Sequence, residues 1–180
     1  QYTPHPGGYD HAVDLVKGLK TVGDFEISVA AYPELHPDAP DAAFDMDNLK
    51  RKIDAGATRA ITQFFFETDT FLRFVDRVRA AGIDVPIVPG ILPVTNFSQV
   101  VRFSKMCGAT IPVWMHEIFE GLDEQPDSRK LLAAMVASEQ CRSLVANGIK
   151  DFHFYTLNRA ELSYAICLNL GLRPVESIAA

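Results

Sequence analysis

Four short apolar runs set the strongest constraint on what this chain can fold into. Ile27–Tyr32, Arg59–Phe66, Ile87–Ile91 and Phe152–Tyr155 each read as a buried strand, and each is followed by a helical pattern. A strand, a helix and a further strand place the two strands parallel, joined by a right-handed crossover. The spacing predicts a helix from Ala12 to near Gly23, one ending at Gly56, and one capped by Thr68 and stopped by Gly82. Others are expected from Asn96 to Cys107, over Pro112–Phe119 as a short extra helix, and from Asp127 to Asn147. Asn158 with Glu161 reads as a capping box opening a last helix to about Leu170, with a frayed tail from Pro174. A (βα)8 barrel takes eight such units and typically about 250 residues, so four units imply an open sheet or half a barrel. The leading helix, with no strand before it, favours an α/β chain of the TIM-barrel class covering roughly the last four βα units. On that reading residues 1–180 are expected to be the carboxyl-terminal part of a single barrel domain.

Composition removes several classes. With 48% hydrophobic and 22% charged residues the chain is globular, and no apolar run nears the roughly 20 residues that span a bilayer. A net charge of -6 argues against a nucleic-acid footprint. Cys107, Cys141 and Cys167 are odd in number and form no CxxC pair, which fits reduced thiols and a cytoplasmic protein. No lysine stands at a strand end for Schiff-base chemistry, and no histidine–carboxylate spacing suggests a metal. The chain has neither a GxGxxG nor a P-loop motif.

The carboxyl ends of parallel strands line the crevice where ligands sit, and here they carry polar and aromatic groups suited to something flat and polar. Tyr32 and His36 follow the first run. Asp45, Asn48, Arg51 and Lys52 recur at spacings of three and four on the next helix, a face suited to an anion such as a phosphate. A solvated face with ordinary salt bridges explains the same pattern. Gln63, inside a buried run, needs hydrogen-bond partners; a ligand edge or a neighbouring loop would serve. Gln99 and Phe103 lie one turn apart, an amide beside a ring, or simply surface neighbours. Alternation puts Asp151, His153 and Tyr155 on one side of the last strand, with Arg159 after it placed to pair with a carboxylate.

Five segments in order carry a family resemblance: Ser28–Glu34 (SVAAYPE), Asn48–Lys52 (NLKRK), Ala60–Phe66 (AITQFFF), Pro89–Pro93 (PGILP) and Asp151–Arg159 (DFHFYTLNR). From about Asp10 to Pro174 the chain resembles methylenetetrahydrofolate reductase. The resemblance implies a flavoprotein (βα)8 barrel that reduces 5,10-methylenetetrahydrofolate to 5-methyltetrahydrofolate with FAD and NADH or NADPH, in one-carbon and methionine metabolism. It implies that His11, Ala12, Tyr32, His36, Asp45, Asn48, Arg51 and Lys52 contact FAD; His11 stands where the family commonly has Tyr. It places Gln63, Gln99, Phe103, Tyr155 and Arg159 at the folate or nicotinamide. The family's catalytic glutamate and its flavin-side aspartate would lie upstream, so no catalytic residue is expected in this chain, and the segment alone is expected to be inactive. The expected partners are the folate and a second copy of the chain. Two alternatives remain: another flavin-binding barrel oxidoreductase, and a non-catalytic half-barrel that pairs with a separate chain.

Overall fold

The computed structural model describes residues 3–173; the tail expected from Pro174 lies outside them. Four strands, β1 (Ser28–Ala31), β2 (Arg59–Phe64), β3 (Ile87–Ile91) and β4 (His153–Phe154), form one sheet in the order β1-β2-β3-β4. Every neighbouring pair is parallel. Strand order follows chain order with no reversal, unlike a doubly wound sheet, whose order reverses at a switch point. β3 is buried throughout, as expected of a parallel strand covered on both faces. β1 and β2 differ from that expectation, because their burial alternates. Val29 and Ala31 pack inward under helices, while Ser28 and Ala30 are exposed and Ile61 and Gln63 half-buried on the other face.

The helices are α1 (Ala12–Val22), α2 (Ala42–Asp54), α3 (Thr68–Ala80), α4 (Phe97–Cys107), α5 (Val113–Phe119), α6 (Pro126–Ala146) and α7 (Ala160–Asn169). α2 starts where the Asp41 carboxylate accepts the Phe44 N–H at 2.8 Å. Its Leu49 is buried, with Met46 and Ile53 packed beside it. α3 buries Phe71, Phe74 and Val78. Thr68 is its first helical residue rather than its cap, and the N-cap Glu67 makes no capping bond.

The capping box expected at Asn158 does not form. An N-cap needs extended backbone, whereas Leu157 and Asn158 sit in the left-handed region at φ 49° and 59°. Arg159 takes the N-cap position instead, without a side-chain bond. Among the described residues no helix is long and apolar enough to cross a membrane.

Two cores result. One lies between the sheet and the outer helices and includes Val29, Leu49, Phe71, Val78, Leu144 and Ile166. The other lies at the carboxyl ends of the strands and includes Phe64, Phe66, Leu92, Phe97, Val100 and Met115. α4 belongs to this second core and does not return along the outside of the sheet. It leaves the end of β3, and its C-terminal Gly108 meets the Leu35 carbonyl in the loop after β1. Its 11 residues span about 16 Å, enough to cross two strand spacings of about 4.8 Å each. α6 is the helix that closes the β3 unit, packing against α3 and α7.

Candidate active site

Two hollows gather the residues singled out above. The first is a groove of about 640 Å³ formed by the start of α1, the loop after β1 and the outer side of α2. His11, His36, Asp45, Asn48 and Arg51 all line it. Ala12 is the first residue of α1, next to His11 at the N-cap. The Asp45 carboxylate accepts the His36 N–H at 3.1 Å, fixing the loop to the helix. The His36 ring meets Tyr32 edge-on with centroids 4.5 Å apart. Arg51 is half-exposed and reaches Asp47 at 3.0 Å, a surface pair of little stabilising value that leaves the guanidinium free to exchange partners.

Lys52 departs from its helix neighbours. Its ammonium is buried and donates to the Ala30 carbonyl at 2.6 Å. Burial lowers its pKa, opposed by the nearby Asp45 carboxylate. Arg51 and Lys52 therefore do not stand together. Lys52, two turns on from Asp45, lines with it a separate hollow beside Ala30, Ala31 and Leu49, while Arg51 is turned outward to the groove that Asp45 also borders.

The second hollow lies under α4. Tyr32, Gln63, Phe64 and Cys107 line one narrow cleft, and the Tyr155 ring, just after β4, meets that of Phe64 edge-on at 6.3 Å. Burial raises the pKa of Tyr32, with Cys107 and Asp45 adding to it. Burial likewise raises that of Tyr155, which also senses Tyr32 and Cys107. Groups from β1, α4 and the end of β4 thus face one another, and both phenols stay protonated at neutral pH. The Tyr155 hydroxyl donates to the Thr62 carbonyl at 2.9 Å, and its ring meets His153 edge-on at 4.9 Å.

Gln63 owes its position to an irregularity. The register of β2 on β3 slips between Ile61 and Phe64, as in a β-bulge. The Phe64 N–H turns to the Gln63 Oε1 at 3.0 Å, and the Thr62 hydroxyl accepts the Gly90 N–H at 2.9 Å.

Gln99 and Phe103 sit mid-span on α4. Phe103 packs partly on the second core under the Arg102 guanidinium, 5.8 Å from its ring centroid. Val100 and Ser104 take the more buried adjacent face, with Cys107 half-buried beyond them. Arg159 is exposed at the head of α7 and shares neither the Arg51 groove nor the Gln63 cleft.

Sequence reading missed the residues that hold these parts. Gly90 is one: a Cβ there would stand 2.2 Å from the Thr62 carbonyl and 2.6 Å from the Tyr155 ring. A Pro-Gly pair inside a strand was the available signal, since both are unusual there. The Asp123–Arg129 pair is another. Asp123 accepts the N–H groups of Phe97 and Ser98 and the Ser98 hydroxyl at the start of α4. Arg129 donates to the carbonyls of Thr95, Leu122 and Asp123. No local pattern announces a cap supplied from 25 residues away.

A family profile described as methylenetetrahydrofolate reductase matches residues 1–171. The chain is 59% identical over 173 residues to a 5,10-methylenetetrahydrofolate reductase of Pectobacterium carotovorum, covering 95% of this chain and 58% of that one. It is also 59% identical over 164 residues to that of Escherichia coli K12, covering 91% and 55%. The chain thus spans little more than half the length of these relatives. A solved Clostridium thermocellum protein, described as binding two copies of 5-methyl-5,6,7,8-tetrahydrofolic acid, shares the fold at TM-score 0.57 and 19% identity, covering 87% of this chain and 57% of that one. On the extent of the profile match and the level of identity, this chain belongs to the methylenetetrahydrofolate reductase family.

Proposed function

We propose that this chain is the later half of a (βα)8 barrel that reduces 5,10-methylenetetrahydrofolate to 5-methyltetrahydrofolate with FAD and NADH or NADPH. The observation that carries the reading is the groove where His11, His36, Asp45, Asn48 and Arg51 meet from three separate segments. Its volume is that of a small-molecule site, and its donor set suits a nucleotide. The Arg51 guanidinium suits a phosphate, and the Asp45 and Asn48 side chains suit sugar hydroxyls or base edges. FAD, when bound, supplies the hydride-carrying chemistry, and the protein supplies placement and electrostatics.

The chain's own residues hold the substrate. Gln63 offers an amide to the pterin from the half-open sheet face, since the cleft beneath α4 is only about 10 Å³. Gln99 and Phe103 lie above as donor and ring. Tyr155, held by the Thr62 carbonyl, shapes the wall near Gln63. Arg159, exposed and in no ion pair among the described residues, meets the folate's carboxylate end. The proton for the folate nitrogen comes from residues outside these 180, and the alternating face of β1 and β2 is the one that further strands would cover.

The test is purification of the full-length protein. It should be yellow, release FAD on denaturation, and, with no artificial electron acceptor added, oxidise NADH or NADPH only when methylenetetrahydrofolate is present. A colourless protein, or a yellow one indifferent to folate, would sink the reading. The second outcome would leave another flavin-binding barrel oxidoreductase in its place.

A further inference from the structure

We propose that Thr110 and Glu34 form a clamp that positions α4, and with it Gln99 and Phe103, over the substrate; the substrate part rests on the folate reading above. The two ends of α4 are held differently. At its start, Asn96 accepts the Gln99 N–H at 2.7 Å, and Asp123 takes the N–H groups of Phe97 and Ser98. Those partners belong to the same excursion between β3 and α6. At its far end α4 is held by the loop after β1. The Glu34 carboxylate accepts the Thr110 N–H at 2.8 Å and also the Thr110 hydroxyl. Gly108, at φ 71°, lets the chain pass so close to the Leu35 carbonyl that a Cβ would stand 2.6 Å from it.

The same loop faces the other way through His36, whose N–H is taken by Asp45 in the cofactor groove. One short loop therefore sets both the groove wall and the far end of α4. With the near end pinned, releasing the far end lets α4 swing about Asn96. Phe103, farther from that pivot than Gln99, moves more. Thr110 lines neither the groove nor the cleft, and the Glu34 carboxylate on the cleft wall is turned to Thr110, so both are positioning residues. Charge-assisted bonds of this kind are about twice as strong as neutral ones, although solvent reaches Thr110 and reduces their effect.

The experiment uses the full-length protein with Thr110→Val, which keeps the shape and loses the hydroxyl, and Thr110→Ser, which restores it. Three readouts are taken: KM for methylenetetrahydrofolate, folate-independent nicotinamide oxidation with a quinone acceptor, and amide hydrogen exchange over 97–107. Thr110→Val should raise the folate KM by roughly threefold to tenfold, the loss of one such bond at a partly solvated site. Exchange over 97–107 should quicken while quinone reduction and flavin content stay at wild-type levels. Thr110→Ser should recover both. Glu34→Ala, which removes both bonds, should raise the KM further. Unchanged KM and exchange in Thr110→Val would overturn the proposal, and so would a matching fall in quinone reduction and flavin content. If wild type reduces the quinone yet ignores folate, the folate reading fails, and the exchange comparison of the two variants still decides whether the clamp holds α4.

Discussion

The β1–α2–β2–α3 half of the molecule and the stretch from Leu92 to Gln125 are built on different rules. In the first, each strand hands over to a helix that packs on the sheet, and side chains at helical spacing fill one core. In the second, the chain leaves β3 and crosses the carboxyl ends as α4. It then turns through α5 and a short 3-10 turn at Leu122–Glu124 before α6 resumes the pattern. Apolar burial dominates the first region. The second depends as well on a few long-range polar bonds, Asp123 to the head of α4 and Glu34 to Thr110. Apolar packing at helical and strand spacing therefore concentrates in one region, and anchoring by polar bonds between distant residues in the other.

That contrast can be broken most severely at Phe71, which is fully buried and stacked on Phe65 at 5.1 Å. Phe71→Ala should cost about 4 kcal/mol, seen in urea denaturation as a loss of global stability. A loss under 1 kcal/mol would show that the sheet–helix core is not the stable region. Arg129→Met removes the partner of Asp123 and the donor to three carbonyls. The expected cost is about 2 kcal/mol, with faster amide exchange confined to residues 92–125. Uniform acceleration across α3 as well would merge the two regions into one.

Acid should separate them more gently. Burial would raise the Asp123 carboxyl, but hydrogen bonds from Ser98 and the Phe97 and Ser98 N–H groups, with the Arg129 guanidinium, outweigh it and hold the pKa below the ordinary 3.8. A carboxylate depressed in the folded state binds fewer protons than in the unfolded state. Its contribution is whole above 3.8 and is lost as pH falls through the lower native value. Exchange over 97–107 should therefore quicken in that acid window before α3 loosens, and Asp123→Asn should abolish that pH dependence. The smallest effect is a gain. The buried Ser104 hydroxyl finds no hydrogen-bond partner among the described residues, so Ser104→Ala should stabilise by about 1 kcal/mol, read as a raised urea midpoint.

Much of the first region was legible in the chain itself. Val29, Leu49, Phe71 and Val78 follow strand and helix periods, and those periods alone place them in the core. The polar face of α2 was legible up to a point. Asp45, Asn48 and Arg51 do line one groove together, but spacing could not foretell that Lys52 would turn inward to the Ala30 carbonyl. Asn158 and Glu161 matched a capping pattern whose backbone requirement the left-handed turn at Leu157 and Asn158 defeats. The course of α4 was not legible. Its periodicity shows a helix with a buried face, and the same pattern serves a helix on the sheet's outside or across its end. The choice rests on Gly108 against Leu35 and Thr110 against Glu34, contacts between residues far apart in sequence.

The central claim is that α4 roofs a folate site beside Gln63. A crystal structure of the full-length protein with 5-methyltetrahydrofolate tests it most directly. The account predicts a pterin within hydrogen-bond reach of the Gln63 amide, with Gln99 and Phe103 touching the same molecule. A folate seated in the open groove beside Trp114 and Met135 instead, with α4 untouched, would contradict it.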